Sequence, residues 1–112
     1  MDSHEKKAAI AAYKERKSIS GIYAVICNAT GEVWVGASRN LESQQNGLWF
    51  TLRLGHHIHK PLQAAFSEHG AAAFRYEELD RIPDDYSDMA RKDELKRRKA
   101  LWQARLQADG LL

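Results

Sequence analysis

The sequence predicts one small α/β domain, a three-stranded, mainly antiparallel sheet flanked by helices. Two β-rich runs flank a short turn, later segments carry apolar residues at helical spacing, and 112 residues can close one core but not two. Residues 3–17 combine Ala8, Ala9, Ala12 and Tyr13 with Lys and Glu. That composition forms helix, and its thin apolar stripe needs something to pack on, so a helix within 1–17 is expected to lie on the main domain. Gly21–Asn28 (GIYAVICN) and Glu32–Ser38 (EVWVGAS) are rich in β-branched and aromatic residues around Ala29-Thr30-Gly31, which predicts a β-hairpin. Its register decides a pairing. With Asn28 opposite Val33, Tyr23 and Trp34 share a face, whereas a slip to Glu32 puts them on opposite faces.

From Gln45 to Leu54 the spacing of Leu48, Trp49 and Leu52 is helical, with Asn46-Gly47 as a break near its start and Gly55 as its stop. Pro61 suits a first helical turn; Leu62, Ala65, Phe66 and His69 then fall on one face, and Gly70 is expected to end that helix in left-handed geometry. Over Ala73–Ile82 a strand is expected, with Phe74 and Tyr76 alternating against Arg75 and Glu77. Ile82-Pro83-Asp84-Asp85 punctuates the chain. Ser87 then caps a last helix running to about Ala108, with Leu95, Trp102 and Leu106 on one face. The domain therefore covers 18–106 and leaves 107–112 as a tail.

Seventeen basic and fifteen acidic residues give a formal charge of +2, so the distribution of charge says more than its total. Between Met89 and Arg105 seven basic residues stand against Asp93 and Glu94. Such a segment can meet phosphates; its bland alternative is a solvated helix face on which Asp93 and Glu94 pair with Arg97 and Arg98. The lone Cys27, set beside Val25 and Ile26, excludes an internal disulfide framework and reads as a small buried hydrophobe. No apolar run approaches the roughly 18 residues of a membrane span, and Met1–Lys17 is polar where a secretory signal would be apolar. A cytoplasmic protein without a membrane partner is expected. His56, His57 and His59 read as loop histidines that form hydrogen bonds or touch phosphate, since a zinc site needs three or four convergent ligands.

Gly21-Ile22-Tyr23, followed after ten residues by Trp34-Val35-Gly36, resembles the paired signature of the GIY-YIG nuclease superfamily. The run Gly36-Ala37-Ser38-Arg39-Asn40-Leu41 is similar to the small-residue and Asn-Leu run after the second motif. His57, Leu62-Gln63, Gly70, Phe74 and Tyr76 resemble the family's His, Leu-Gln, Gly and Phe-x-aromatic pattern. The resemblance implies a domain that binds nucleic acid, DNA above all, and cuts a phosphodiester with one divalent metal, Mg²⁺ or Mn²⁺, and a tyrosine near the attacking water. Such chemistry needs a proton acceptor, cations on the equatorial oxygens and a Lewis acid for the departing oxygen.

Tyr23 matches the first-motif tyrosine, but Trp34 replaces the second, and an indole N–H can only donate. The family's helix arginine falls on Gln44 or Gly47, with Arg39 and Arg53 as candidate substitutes. Its metal-binding glutamate, three residues before Trp102, falls on Lys99, which cannot ligate Mg²⁺. Glu94 is then the remaining candidate metal carboxylate of the last helix. The expected site thus comprises Tyr23, Trp34, Arg39 and His57 around the groove, Glu94 for metal, and Arg39, Arg53, Lys96, Arg97 and Lys99 on nucleic acid. Two functions compete: weak or altered metal-dependent cleavage, or a binding module on nucleic acid or protein that has lost its chemistry. A homodimer through the apolar Leu111-Leu112 tail is a further alternative.

Overall fold

A computed structural model of the chain describes residues 19–83 and 86–111, and the helix expected within 1–17 lies outside them. The described order is β1 (Ser20–Cys27), β2 (Val33–Ser38), α1 (Leu41–Leu54), α2 (Lys60–His69), a 3-10 turn (Ala71–Ala73), β3 (Phe74–Ile82), α3 (Asp88–Leu106) and β4 (Asp109–Gly110). The strands form one sheet in the order β3-β1-β2-β4, antiparallel except for β4 along β2.

Every residue of the central strand β1 is buried, because both faces of the sheet are covered. Tyr23, Val25 and Cys27 join Trp34 and Phe74 under α1 and α2. Ile22 and Val35, with Ile82, pack on the opposite side against Leu95 of α3. A β-rich run without polar alternation is the sequence trace of this double coverage.

Gly31, at φ +80°, turns the hairpin, and its N–H donates to the Cys27 carbonyl at 2.7 Å. Val25 pairs with Trp34 and Tyr23 with Gly36. This register is displaced by two residues from an Asn28–Val33 pairing, and a shift of two conserves the pleat, so Tyr23 and Trp34 do share a face. In β3 an irregularity opposite Ile22 and Tyr23 inserts one residue. It lets Phe74 and Tyr76 enter the core beneath α1 and α2, while Ile82 enters the core beneath α3. The adjacent Glu77 and Glu78 lie exposed on this edge strand.

Helix α1 begins at Leu41, earlier than the apolar spacing predicts. Asn40 caps it, accepting from the Ser43 N–H at 3.2 Å, and Leu41 is drawn into the core beside Gly21. Gly47 therefore sits within the helix, not at a break. Gly55 closes α1 at φ +77°, in the expected left-handed geometry. Gly70, after α2, has a positive φ of +81° but an extended ψ of 165°, which directs the chain into the 3-10 turn and β3.

Ser87 caps α3 as expected, through the Ala90 N–H, and the helix ends at Leu106 with Gln107 in left-handed geometry. The segment expected as a tail then returns to the sheet. Asp109 pairs with Trp34 and Gly110 with Val35, the Leu111 N–H donates to the Val35 carbonyl at 2.8 Å, and the Lys99 ammonium donates to the Leu111 carbonyl. Leu111 is 2% exposed within the chain's own core. It is thus not an exposed contact for a second copy, and Leu112 lies outside the described residues. The three expected strands gain a fourth because long-range packing of Leu111 carries two residues of no strand propensity against β2.

Gly47 is exposed, has an ordinary negative φ, and a side chain there would meet nothing within 4 Å. Gly47→Ala should stabilise the fold by about 0.5–1 kcal/mol, read as a higher midpoint in urea with an unchanged slope.

Candidate active site

The Tyr23 phenol lies directly over Gly36. A Cβ placed on residue 36 would stand 2.4 Å from the Tyr23 Cζ and 2.5 Å from its hydroxyl oxygen, so no side chain fits there. Across the ring, Tyr76 stacks at 5.2 Å with an interplanar angle of 16°. The Gln44 side-chain amide donates to the Tyr23 hydroxyl at 3.3 Å. Tyr23 is 4% exposed, and burial pushes its phenol up to about 12. Burial, followed by the neighbouring Tyr23 and Glu78, raises Tyr76 as well. At neutral pH both phenols keep their protons, and each can donate or accept through neutral oxygen.

Trp34 shares this face but is an interior residue. It is fully buried and stacked on Phe74 at 6.3 Å, and its indole nitrogen has no hydrogen-bond partner among the described residues. The expected place beside the groove is corrected on that burial. Arg39 projects into solvent at the β2–α1 junction, where its carbonyl accepts from the Ser20 hydroxyl at 3.3 Å. Beside the phenol cluster, α1 and the start of β3 enclose a cleft of about 390 Å³ lined by Gln45, Trp49, Arg53, Ala71, Phe74, Arg75 and Tyr76. Tyr76, not Tyr23, reaches its wall.

No protein-family model matches the chain, and no curated protein does. Among solved structures, the catalytic domain of the homing endonuclease I-TevI superposes with a TM-score of 0.69 at 26% identity, over 83% of this chain and 98% of that one. A mutant of the catalytic domain of the intron endonuclease I-TevI gives 0.67 at 28%, over 80% and 84%. The chain has a GIY-YIG-like fold. Within that GIY-YIG-like fold the packing of Tyr23 on Gly36 joins the first motif to the last letter of the second, and Gln44, one of the two positions on which the family's arginine can fall, supplies an amide.

His57 is half-buried between α1 and α2. Its N–H donates to the Gln63 side chain at 3.0 Å, its Nδ1 accepts from the His59 N–H at 3.1 Å, and burial holds its imidazole below the ordinary value. It is neutral at pH 7 and occupied in shaping the loop. Gln63 also donates to the Leu52 carbonyl at 3.0 Å, so one amide ties the end of α1 to α2. The Leu-Gln pair of the family pattern pointed to this residue; the role came from the loop geometry.

Helix α3 packs on the sheet face opposite to Tyr23. The Glu94 carboxylate is held there by Arg97 and by Arg98, the latter at 2.6 Å, and these two guanidinium groups pull it down to about 2. Arg98 further binds Asp80 at 3.1 Å and the Arg81 carbonyl at 2.9 Å, while the Trp102 N–H donates to Asp80 at 3.2 Å. A divalent cation at Glu94 would have to displace two fixed positive charges, and Lys99 adds a third cation on the same helix. No three carboxylate, imidazole or thiol groups converge among the described residues. The surroundings of Glu94 do not fit the divalent ion that the GIY-YIG resemblance implies, because its carboxylate is already held by two guanidinium groups. Of the expected nucleic-acid contacts, Arg97 is paired with Glu94 and Lys99 is bound to Leu111, whereas Arg39, Arg53 and Lys96 have no ion-pair partner among the described residues.

Gly36→Ala should destabilise the fold by about 1–3 kcal/mol through overpacking against the Tyr23 ring, measurable by denaturant titration. Glu94 binds its proton less readily folded than unfolded, so its contribution is complete above its ordinary value near 4.5 and is lost as pH falls towards about 2. A series of melting temperatures should show that acid slope in the native protein and a shallower one in Glu94→Gln.

Proposed function

We propose that this chain is a nucleic-acid-binding protein that keeps a GIY-YIG-like fold without its phosphodiester chemistry. One observation carries the reading. The Tyr23 hydroxyl is almost fully buried, closed over by Tyr76, and bonded to a neutral amide. A general base needs an ionisation near the working pH and reach to a water, and a buried phenol pushed up to about 12 offers neither. The buried Trp34 indole cannot accept a proton, and Glu94 is paired with arginines on the other side of the sheet.

Binding remains available to the chain. Arg39 and Arg53 are exposed towards opposite ends of α1, and Lys96 is exposed on α3. These cations can contact phosphates without metal, with an affinity that falls as added salt makes the release of condensed counterions less favourable. The expected surface on α3 is reduced in charge, because Arg98 is half-buried against Glu94 and Asp80 and the exposed Arg97 is paired with Glu94. The α1 and β3 side, with its cleft and with Arg53 unpaired among the described residues, takes up that role. No helix of the described residues is long and apolar enough to cross a membrane.

Single-stranded, double-stranded and branched substrates should be retarded in a gel in a salt-sensitive manner and remain intact with Mg²⁺ or Mn²⁺. Tyr23→Phe should behave as the native protein in that assay. Cleavage by the native protein that Tyr23→Phe abolishes would establish the weak or altered nuclease instead.

A further inference from the structure

The cleft between α1 and β3 has a composition that nothing in the phenol cluster requires. Gln45, Trp49 and Arg53 recur every four residues on α1 and so form one wall. Phe74, Arg75 and Tyr76 form the other. Trp49 is half-buried with Phe66 behind it at 6.4 Å, and Tyr76 is half-buried with Tyr23 behind it. Each ring is thereby fixed from the core side while its residue still borders the cleft.

The cations differ in a useful way. Arg75 alternates with Phe74 and Tyr76 along β3, so its guanidinium, bonded to Asn28 at 2.7 Å and to Glu77 at 3.1 Å, lies on the opposite face of the strand and only its backbone side borders the cleft. Arg53 is exposed and has no ion-pair partner among the described residues. Planar aromatic walls beside the Arg53 guanidinium match a ligand with a flat face and an anion one bond system away. At about 390 Å³ the volume lies at the small end of the range for small-molecule sites and excludes a duplex.

We propose that this cleft holds one unstacked nucleotide of a single-stranded nucleic acid, its base against Trp49 and Tyr76 and its phosphate on Arg53. The assignment rests on the nucleic-acid-binding reading above and narrows it to strandedness and place. Base stacking on aromatic side chains tolerates sequence, so the site selects an unpaired strand rather than a particular base. A strand is preferred to a free nucleotide because Arg39, at the far end of the same helix, can take a further phosphate.

The test follows tryptophan fluorescence as an oligothymidylate of about ten nucleotides is added to the full chain. Quenching that disappears in Trp49→Phe is expected, with affinity weakened roughly 5- to 150-fold in Trp49→Ala. Since Trp49 also packs on Phe66, the exposed Arg53→Gln provides a second variant, expected to weaken binding and to lower the salt slope by about 0.7. An oligomer lacking bases should bind the native protein more weakly than the intact one. Equal binding of the oligomer to the native protein, Trp49→Ala and Arg53→Gln would overturn the cleft assignment and leave the binding reading standing. If no nucleic acid of any form is retained, both fall together. Thymidine monophosphate binding as tightly as the oligomer would make this a free-nucleotide site and overturn the strand.

Discussion

The contact on which the rest of the structure depends is the Tyr23 ring lying on Gly36. It exists because β1 and β2 pair these two residues, and because residue 36 has no side chain to occupy the space. A register slip by one residue would send Tyr23 to the α3 side and the isoleucines of β1 to the α1 side, exchanging the two cores wholesale. With the register held, the phenol meets α1 at Gln44 and β3 at Tyr76, so three elements converge on one hydroxyl. The same convergence that positions the group also removes it from water and raises its ionisation.

Electrostatics on the two faces of the sheet are organised differently. On the α3 side, Arg97, Arg98, Glu94 and Asp80 satisfy one another, and Trp102 completes the set by donating to Asp80. Such mutual pairing consumes donors and acceptors that a metal or a phosphate would need. On the α1 side Arg39 and Arg53 have no ion-pair partner among the described residues, and Arg53 stands beside the aromatic rings that border the cleft. Local charge density along the chain therefore does not say which cations are already paired, since neutralisation is settled between elements.

Lys99 shows how a substitution can be absorbed into the architecture. The GIY-YIG resemblance sets a metal-binding carboxylate at that position, yet the ammonium reaches the carbonyl of Leu111 and helps hold β4 beside β2. A carboxylate could not make that bond, because it has no proton to donate to a carbonyl when ionised. In this chain the position has become part of the closure of the core, with Leu111 as its last residue.

The hairpin, the caps at Ser87 and Gly55, and the strand around Phe74 were legible in the sequence because each rests on neighbours within one or two turns of chain. So was the family likeness, since Gly21-Ile22-Tyr23 and Trp34-Val35-Gly36 are short motifs whose spacing survives translation into text. By itself the sequence also determined that Trp34 could not act as a proton acceptor and that Lys99 could not ligate Mg²⁺, as both follow from side-chain chemistry. Only the tertiary structure decided that Trp34 is interior, that Gly47 lies inside a helix, that Glu94 is already paired, and that Asp109 and Gly110 form a strand. Each of these depends on which distant residue arrives alongside: Phe74 over Trp34, the core over Leu41, Arg98 against Glu94 and Asp80, Val35 beside Leu111. Local spacing carries no record of such meetings, because burial and charge pairing are properties of the assembled chain.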